Sequence, residues 1–330
     1  MQSIFRNTLA AAALLLSSLT VSAQNAVSFL SITPDARSAA MGDAGVALSP
    51  DAFSSIRNAA QLPFADEYFG AGYCYLPWMR DLTPETALHT ASVFFKPNSK
   101  QAVSASFRYF SQYGSDITDD TGNLLGRMKP KDMAVDVGYS RFVAKGLSVA
   151  LTARYIRSDL GVGGAKNAFA FDAGIFYRYA FSPSYALSFG FQAANFGNAI
   201  NYGAGKRHQP WSLKLGTAAD LDFSAHHRLT LTAETGYRLQ PSAFRAWSGS
   251  FGAEYVLYDI LSVRGGYRLG DRRAGEFRYG SVGLGLRWKY VAADAAYLLT
   301  SESCPLHNTW MISFGFRLSD KWKLSHKRTK

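Results

Sequence analysis

Residues 133–155, MAVDVGYSRFVAKGLSVALTARY, alternate from side to side, and charge falls on one side alone. Met133, Val135, Val137 and Tyr139 share one flank of an extended chain, and Ala134, Asp136, Gly138 and Ser140 share the other. After the short link 141–146 the pattern repeats, with Leu147, Val149, Leu151, Ala153 and Tyr155 set against Ser148, Ala150, Thr152 and Arg154. A strand with Asp or Arg at its middle and an uncharged opposite flank needs two different surroundings.

The same alternation recurs along the chain. It predicts fourteen strands near 66–76, 87–96, 101–111, 131–142, 147–157, 168–179, 185–195, 209–220, 227–237, 246–257, 260–268, 279–288, 291–299 and 309–318. Most are close to the roughly 9 to 11 residues that a tilted strand needs to cross a bilayer. Connections after even strands are short (KPNSK, VAKG, FSPS, YD, KY), with LDFSAHH the longest. Those after odd strands run longer, up to SQYGSDITDDTGNLLGRMKP. An even strand number with short turns at one end and long loops at the other is the pattern of outer-membrane barrels.

Charge separates this reading from a soluble sandwich, in which the charged flanks would meet water and the apolar flanks each other. Parity puts Arg108, Asp136, Arg154, Asp172, Arg178, Lys214, Glu234, Glu254, Arg264, Arg287, Asp294 and Arg317 on the flank otherwise made of Gly, Ala, Ser and Thr. An Arg or Lys facing lipid at mid-membrane costs about 2 to 4 kcal/mol, so a barrel keeps such groups on the lumen side. The register also pairs them: Asp136 with Arg154, Arg154 with Asp172, and Glu254 with Arg264, all favourable cross-strand neighbours. Tyr139, Tyr155, Tyr177, Tyr179, Tyr185, Trp211, Trp288, Trp310 and Phe316 gather towards strand ends on the outward parity, as an interfacial girdle would. The chain is read as an all-β transmembrane outer-membrane β-barrel.

The first 23 residues have one cation, Arg6, an apolar run from Leu9, and small residues up to Ala23: a secretory leader, too short in its apolar run to be a spanning anchor. The composition suits export into a membrane, with 14% aromatic residues, 29 Gly and only 18% charged residues. The domain reading is a leader over 1–23, an N-terminal segment over 24–63, a barrel over 64–318 and a basic tail over 319–330. Lumen-parity glycines, among them Gly138, Gly190, Gly216, Gly252, Gly266 and Gly283, leave room in the bore. The segment 24–63 is either the plug that fills that room or a periplasmic flap. Within it ARSAAMGDAGVAL fits a short helix and SPDAFSSIRNAAQL a turn and helix, with Ser49 or Asp51 as caps.

FLSITPDARSAAMGDAGVALSPDAFSS (29–55), LPWMRDL (76–82), RYFSQYGSDITDDTGN (108–123), ARYIRSDLG (153–161) and GAEYVLYDILSVRGGYRLG (252–270) resemble the PorV/PorQ family of Bacteroidota outer-membrane proteins, closer to PorV. The resemblance covers nearly the whole chain after the leader. It implies a fourteen-stranded barrel like that of the FadL fatty-acid transporters, with a short N-terminal helical segment in or below the lumen. It also implies a role in the type IX secretion system: receiving cargo with C-terminal signal domains at the translocon and escorting it to the attachment machinery. The alternative is a FadL-like channel for hydrophobic small molecules. One departure is Ile56-Arg57-Asn58-Ala59-Ala60, where the wider FadL-like group has a Trp-Asn-Pro-Ala type motif.

No catalytic motif emerges, and no metal or cofactor is expected. The histidines lack an H-E-x-x-H spacing, GSVGLG (280–285) sits within a strand with no helix after it, and DITDDTGN lacks the glycine placement and terminal Glu of a calcium loop. The expected contact residues for cargo and translocon are Trp78, Met79 and Arg80 on the first long loop, and Tyr113, Asp116, Ile117, Asp119 and Asp120 on the second. Cys74, towards the outer end of the first strand, and Cys304, in the last long loop, lie on neighbouring strands of a closed barrel and are either bridged or two free thiols. The net charge of +11 owes much to the tail DKWKLSHKRTK, which suits anionic lipid headgroups or an acidic protein and not nucleic acid.

Overall fold

The computed structural model describes residues 26–319, apart from 119, 120, 122, 162, 204, 272 and 273. The leader and the basic tail lie outside the described residues.

The fourteen expected strands all form and close into one antiparallel barrel. In chain order they are β1 (Glu67–Pro77), β2 (Ala87–Asn98), β3 (Gln101–Ser111), β6 (Lys131–Ala144), β7 (Leu147–Asp159), β8 (Lys166–Ser182), β9 (Tyr185–Gly197), β12 (Ser212–Ser224), β13 (His227–Arg238), β14 (Ala246–Leu257), β15 (Leu261–Gly270), β16 (Tyr279–Trp288), β17 (Val291–Leu299) and β18 (Trp310–Ser319). Each pairs with its sequence neighbour in the ring, and β1 closes it against β18 with Cys74 opposite Ser313. Two small hairpins, unforeseen in the sequence, stand on the long connections: β4 (Ser115–Thr118) with β5 (Leu124–Met128), and β10 (Ile200–Asn201) with β11 (Lys206–Arg207). β12 starts at Ser212, three residues later than expected. Pro210 has no N–H to donate, and the Gln209 side chain instead caps the carbonyls of Phe169 and Asn198 at 3.0 and 2.9 Å.

The two flanks of each strand meet different surroundings. Val137 and Leu151 are 63% and 60% exposed on the outside, whereas Asp136, one residue before the first, and Arg154, three residues after the second, are 2% and 3% exposed within. The outer surface is Val, Leu, Phe and Tyr, with Tyr139, Tyr177, Tyr179, Trp288 and Phe316 exposed there.

Residues 26–64 run inside the barrel. They form a 3-10 turn at Ser28–Ser31, single helical turns at Ala36–Ala39 and Ser54–Arg57, and a second 3-10 stretch at Ala59–Phe64. The caps are not the expected ones. Asp35 accepts the Ser38 amide at 3.0 Å and Asn58 that of Ala60 at 3.2 Å, whereas Asp51 accepts the Phe53 amide outside any helix. The start of the segment packs among Cys74, Leu76, Leu88, Phe110 and Met311 in the half of the bore nearer the long connections. Its end packs Phe64 edge-on against Phe142 and Phe176 near the short turns.

Candidate functional site: the filled bore and its vestibule

Small residues let the inner segment touch the wall. A Cβ at Gly190 would collide with the carbonyl of Val46, and one at Gly266 with the amide of Gly42. The wall also satisfies the segment's main chain. Glu234 accepts the amides of Gly45 and Val46 at 2.7 and 2.9 Å, while Ser313 and Ser281 hydroxyls accept those of Ala36 and Gly42 at 2.8 and 3.0 Å. Backbone groups that would be orphaned in a non-helical, non-sheet segment are thereby paired.

Two buried ion networks line the bore. In one, Arg154 reaches Asp136 at 2.6 Å and Asp172 at 2.7 Å, with Asn195 as a further acceptor, and Arg108 lies 3.4 Å from Asp136. The other joins segment to wall. Arg264 binds Glu254 at 2.6 Å and Asp294 at 2.7 Å; Glu254 also accepts from Arg37 at 2.9 Å; Arg37 meets Asp51 at 3.2 Å; and Arg57 binds Asp51 and Asp35 at 2.6 and 2.9 Å. Burial pushes the Asp51 carboxyl up, but the Arg57 and Arg37 guanidiniums outweigh it and hold the group below the usual aspartate range. Such chains of alternating charge are strong only because every member is paired. The pairs Asp136–Arg154 and Glu254–Arg264 stand directly opposite in register; Arg154 reaches Asp172 diagonally, since Asp172 faces Thr152. The partners supplied by Arg37, Asp51 and Arg57 were not foreseen.

Between this filling and the long connections lies a cavity of about 780 Å³. Asp43, Gly45, Val46, Ile56 and Arg57 form its floor. One sector is apolar, from Leu30, Trp78, Phe110, Leu298, Leu306 and Met311; another is polar, from Gln192, Asn195, Ser212, Lys214, Ser248 and Arg268.

The expected loop residues divide. Trp78 and Met79 are half-buried at the rim, packed on the cluster of Tyr279, Leu298 and Leu306, and Met79 adopts a left-handed φ of 51°. Arg80 is exposed. Tyr113 is exposed beneath the Arg127 guanidinium, 5.7 Å from the ring centre, and Asp116 lies 3.9 Å from the same Arg127. Ile117 falls in β4; Asp119 and Asp120 lie outside the described residues. Of the two alternatives for Cys74 and Cys304, the structure has two free thiols and no bridge. Cys74 is buried in the wall beside Phe29 and Ala36, whereas Cys304 belongs to a separate cluster with Tyr279 and Leu306 in the last long connection.

Fold and bore define an outer-membrane β-barrel whose lumen is filled by its own N-terminal segment. The family model "Type IX secretion system protein PorV" matches residues 19–245, and the chain belongs to that family. Among solved structures it is similar in fold to the Pseudomonas putida toluene transporter TodX, with 12% identity and a TM-score of 0.58, covering 86% of this chain and 98% of that one. A Pseudomonas aeruginosa FadL homologue, at 12% identity and a TM-score of 0.55, covers 87% and 98%. The Ralstonia pickettii toluene transporter TbuX, at 13% and 0.55, covers 86% and 98%. No curated protein matches.

Proposed function

We propose that this barrel is a cargo escort of the PorV type. It receives secreted proteins with C-terminal signal domains at the type IX translocon and hands them to the cell-surface attachment machinery. Its long connections face outward and both termini face the periplasm. The observation that carries this reading is the filled bore: what remains accessible is a vestibule and a loop surface at one end, which suits docking better than passage. Trp78, Met79, Arg80, Tyr113, Asp116 and Ile117 are the contact residues on this reading, together with Asp119 and Asp120, which follow in the sequence. Alanine at Trp78 and Tyr113 together reduces cargo export; unchanged export removes these residues from the surface. A second reading, a channel for hydrophobic small molecules, draws on the apolar sector of the vestibule and on the toluene transporters named above. Deleting the gene separates the two. Signal-domain proteins stranded in the periplasm support escort, and lost uptake of an apolar substrate with normal export supports the channel.

A further inference from the structure

Most cations around the vestibule are held by acceptors at short range, Arg154 by Asp136 and Asp172, Arg238 and Arg268 by Glu276 at 2.8 and 2.7 Å, and Arg108, 3.4 Å from Asp136, is only 1% exposed. Lys214 is different. Its side chain is 35% exposed, opens onto the cavity, and meets its ion-pair partner, Glu234 Oε1, only at 3.5 Å. That is beyond a good hydrogen bond. The other oxygen of Glu234 is occupied by the amides of Gly45 and Val46.

Position adds meaning to this. β12, which carries Lys214, is half-way round the ring from β1, so the lysine stands across the bore from Trp78 and the apolar sector. Besides its paired charges, the lining carries uncharged hydrogen-bonding groups: Gln192, Asn195, Ser212, Ser248 and Thr309. The buried Thr309 hydroxyl has no hydrogen-bond partner.

We propose that the vestibule binds the free carboxyl terminus of an extended polypeptide, with its α-carboxylate on Lys214 and its last apolar side chains against Trp78, Phe110 and Met311. A cavity of this size falls within the roughly 300 to 1,000 Å³ of ligand pockets; it admits a chain end, not a folded domain. Peptide N–H and C=O groups can pair with the Ser212, Ser248 and Thr309 hydroxyls, whereas an alkyl chain would leave the buried Thr309 hydroxyl without a partner. This inference rests on the escort reading for the origin of the peptide, since a C-terminal signal ends in such a carboxylate.

The test uses the purified full-length protein in detergent micelles. Fluorescence anisotropy follows the N-terminally labelled peptide Ser-Thr-Val-Ser-Val-Leu as free acid and as C-terminal amide, and palmitate is titrated alongside. The acid should bind about tenfold or more tighter than the amide, the size expected for a charge-assisted contact. The gap should vanish in Lys214→Met and persist in Lys214→Arg, both retaining the heat-modifiable gel mobility of a folded barrel. Equal binding of acid and amide, no binding of either, or binding of palmitate alone overturns the inference. Stranded cargo after gene deletion together with equal acid and amide binding sinks this inference and leaves escort standing. Carboxylate-dependent binding with normal export sinks the escort reading and leaves the site.

Discussion

Arg264, with 2% of its side chain exposed, neutralises Glu254 and Asp294 at once. Arg264→Met strands Asp294 and leaves Glu254 with Arg37 alone, a loss of about 3 to 5 kcal/mol by the precedent of buried pairs deprived of one partner. A lowered urea midpoint in lipid vesicles measures it. Arg228 and Asp222 are just as close, at 2.6 Å, but their side chains are 43% and 35% exposed, so Arg228→Met should cost under about 1 kcal/mol in the same titration. In the long connections, hydrogen bonds from His307 and Asn308 hold the Asp81 carboxyl below its usual range and latch residues 78–86 to 300–309. Asp81→Ala should leave the urea midpoint unchanged while speeding protease cleavage of the first connection. Wall charges such as Asp136 and Arg154 were legible because strand parity and turn position fix their neighbours. Arg37 and Arg57 were not, since their segment has no period from which a register could be drawn. The available signal was Asp35, Arg37, Asp51 and Arg57 in a stretch otherwise rich in small residues.

Among elements, strands were the most legible because each has a continuous outward apolar row and a connection of a recognisable length class. The hairpins β4–β5 and β10–β11 carry no such row, and only pairing within their own loops defines them. The start of β12 was misplaced because alternation alone does not register that Pro210 interrupts the ladder. The course of residues 26–64 depends on contacts remote in sequence, such as Ser92 with the carbonyl of Ala52 at 2.9 Å and Gln192 with that of Ile56 at 3.0 Å. Lumen glycines are the sequence trace of that course. Gly190→Val should leave the barrel folded, as read by heat-modifiable mobility, but displace the loop around Val46. Residues 26–64 should then be cleaved by a protease that spares them in the native protein.

For the whole molecule, the consequence is a barrel that crosses the membrane without an open path. In planar lipid bilayers the native protein should pass no steady ionic current, and a variant lacking residues 26–64 should conduct. A steady current from the native protein would mean that the inner segment does not seal the bore. Beneath this lies the assignment of the two strand flanks, with hydrocarbon outside and ionised groups within. Nitroxide labels placed one at a time from Leu147 to Ala153, in a background with both cysteines replaced by serine and reconstituted in liposomes, test it most directly. Collision rates with oxygen should peak at Val149, Leu151 and Ala153 and fall at Ser148, Ala150 and Thr152. A flat profile, or one with the opposite phase, would contradict it.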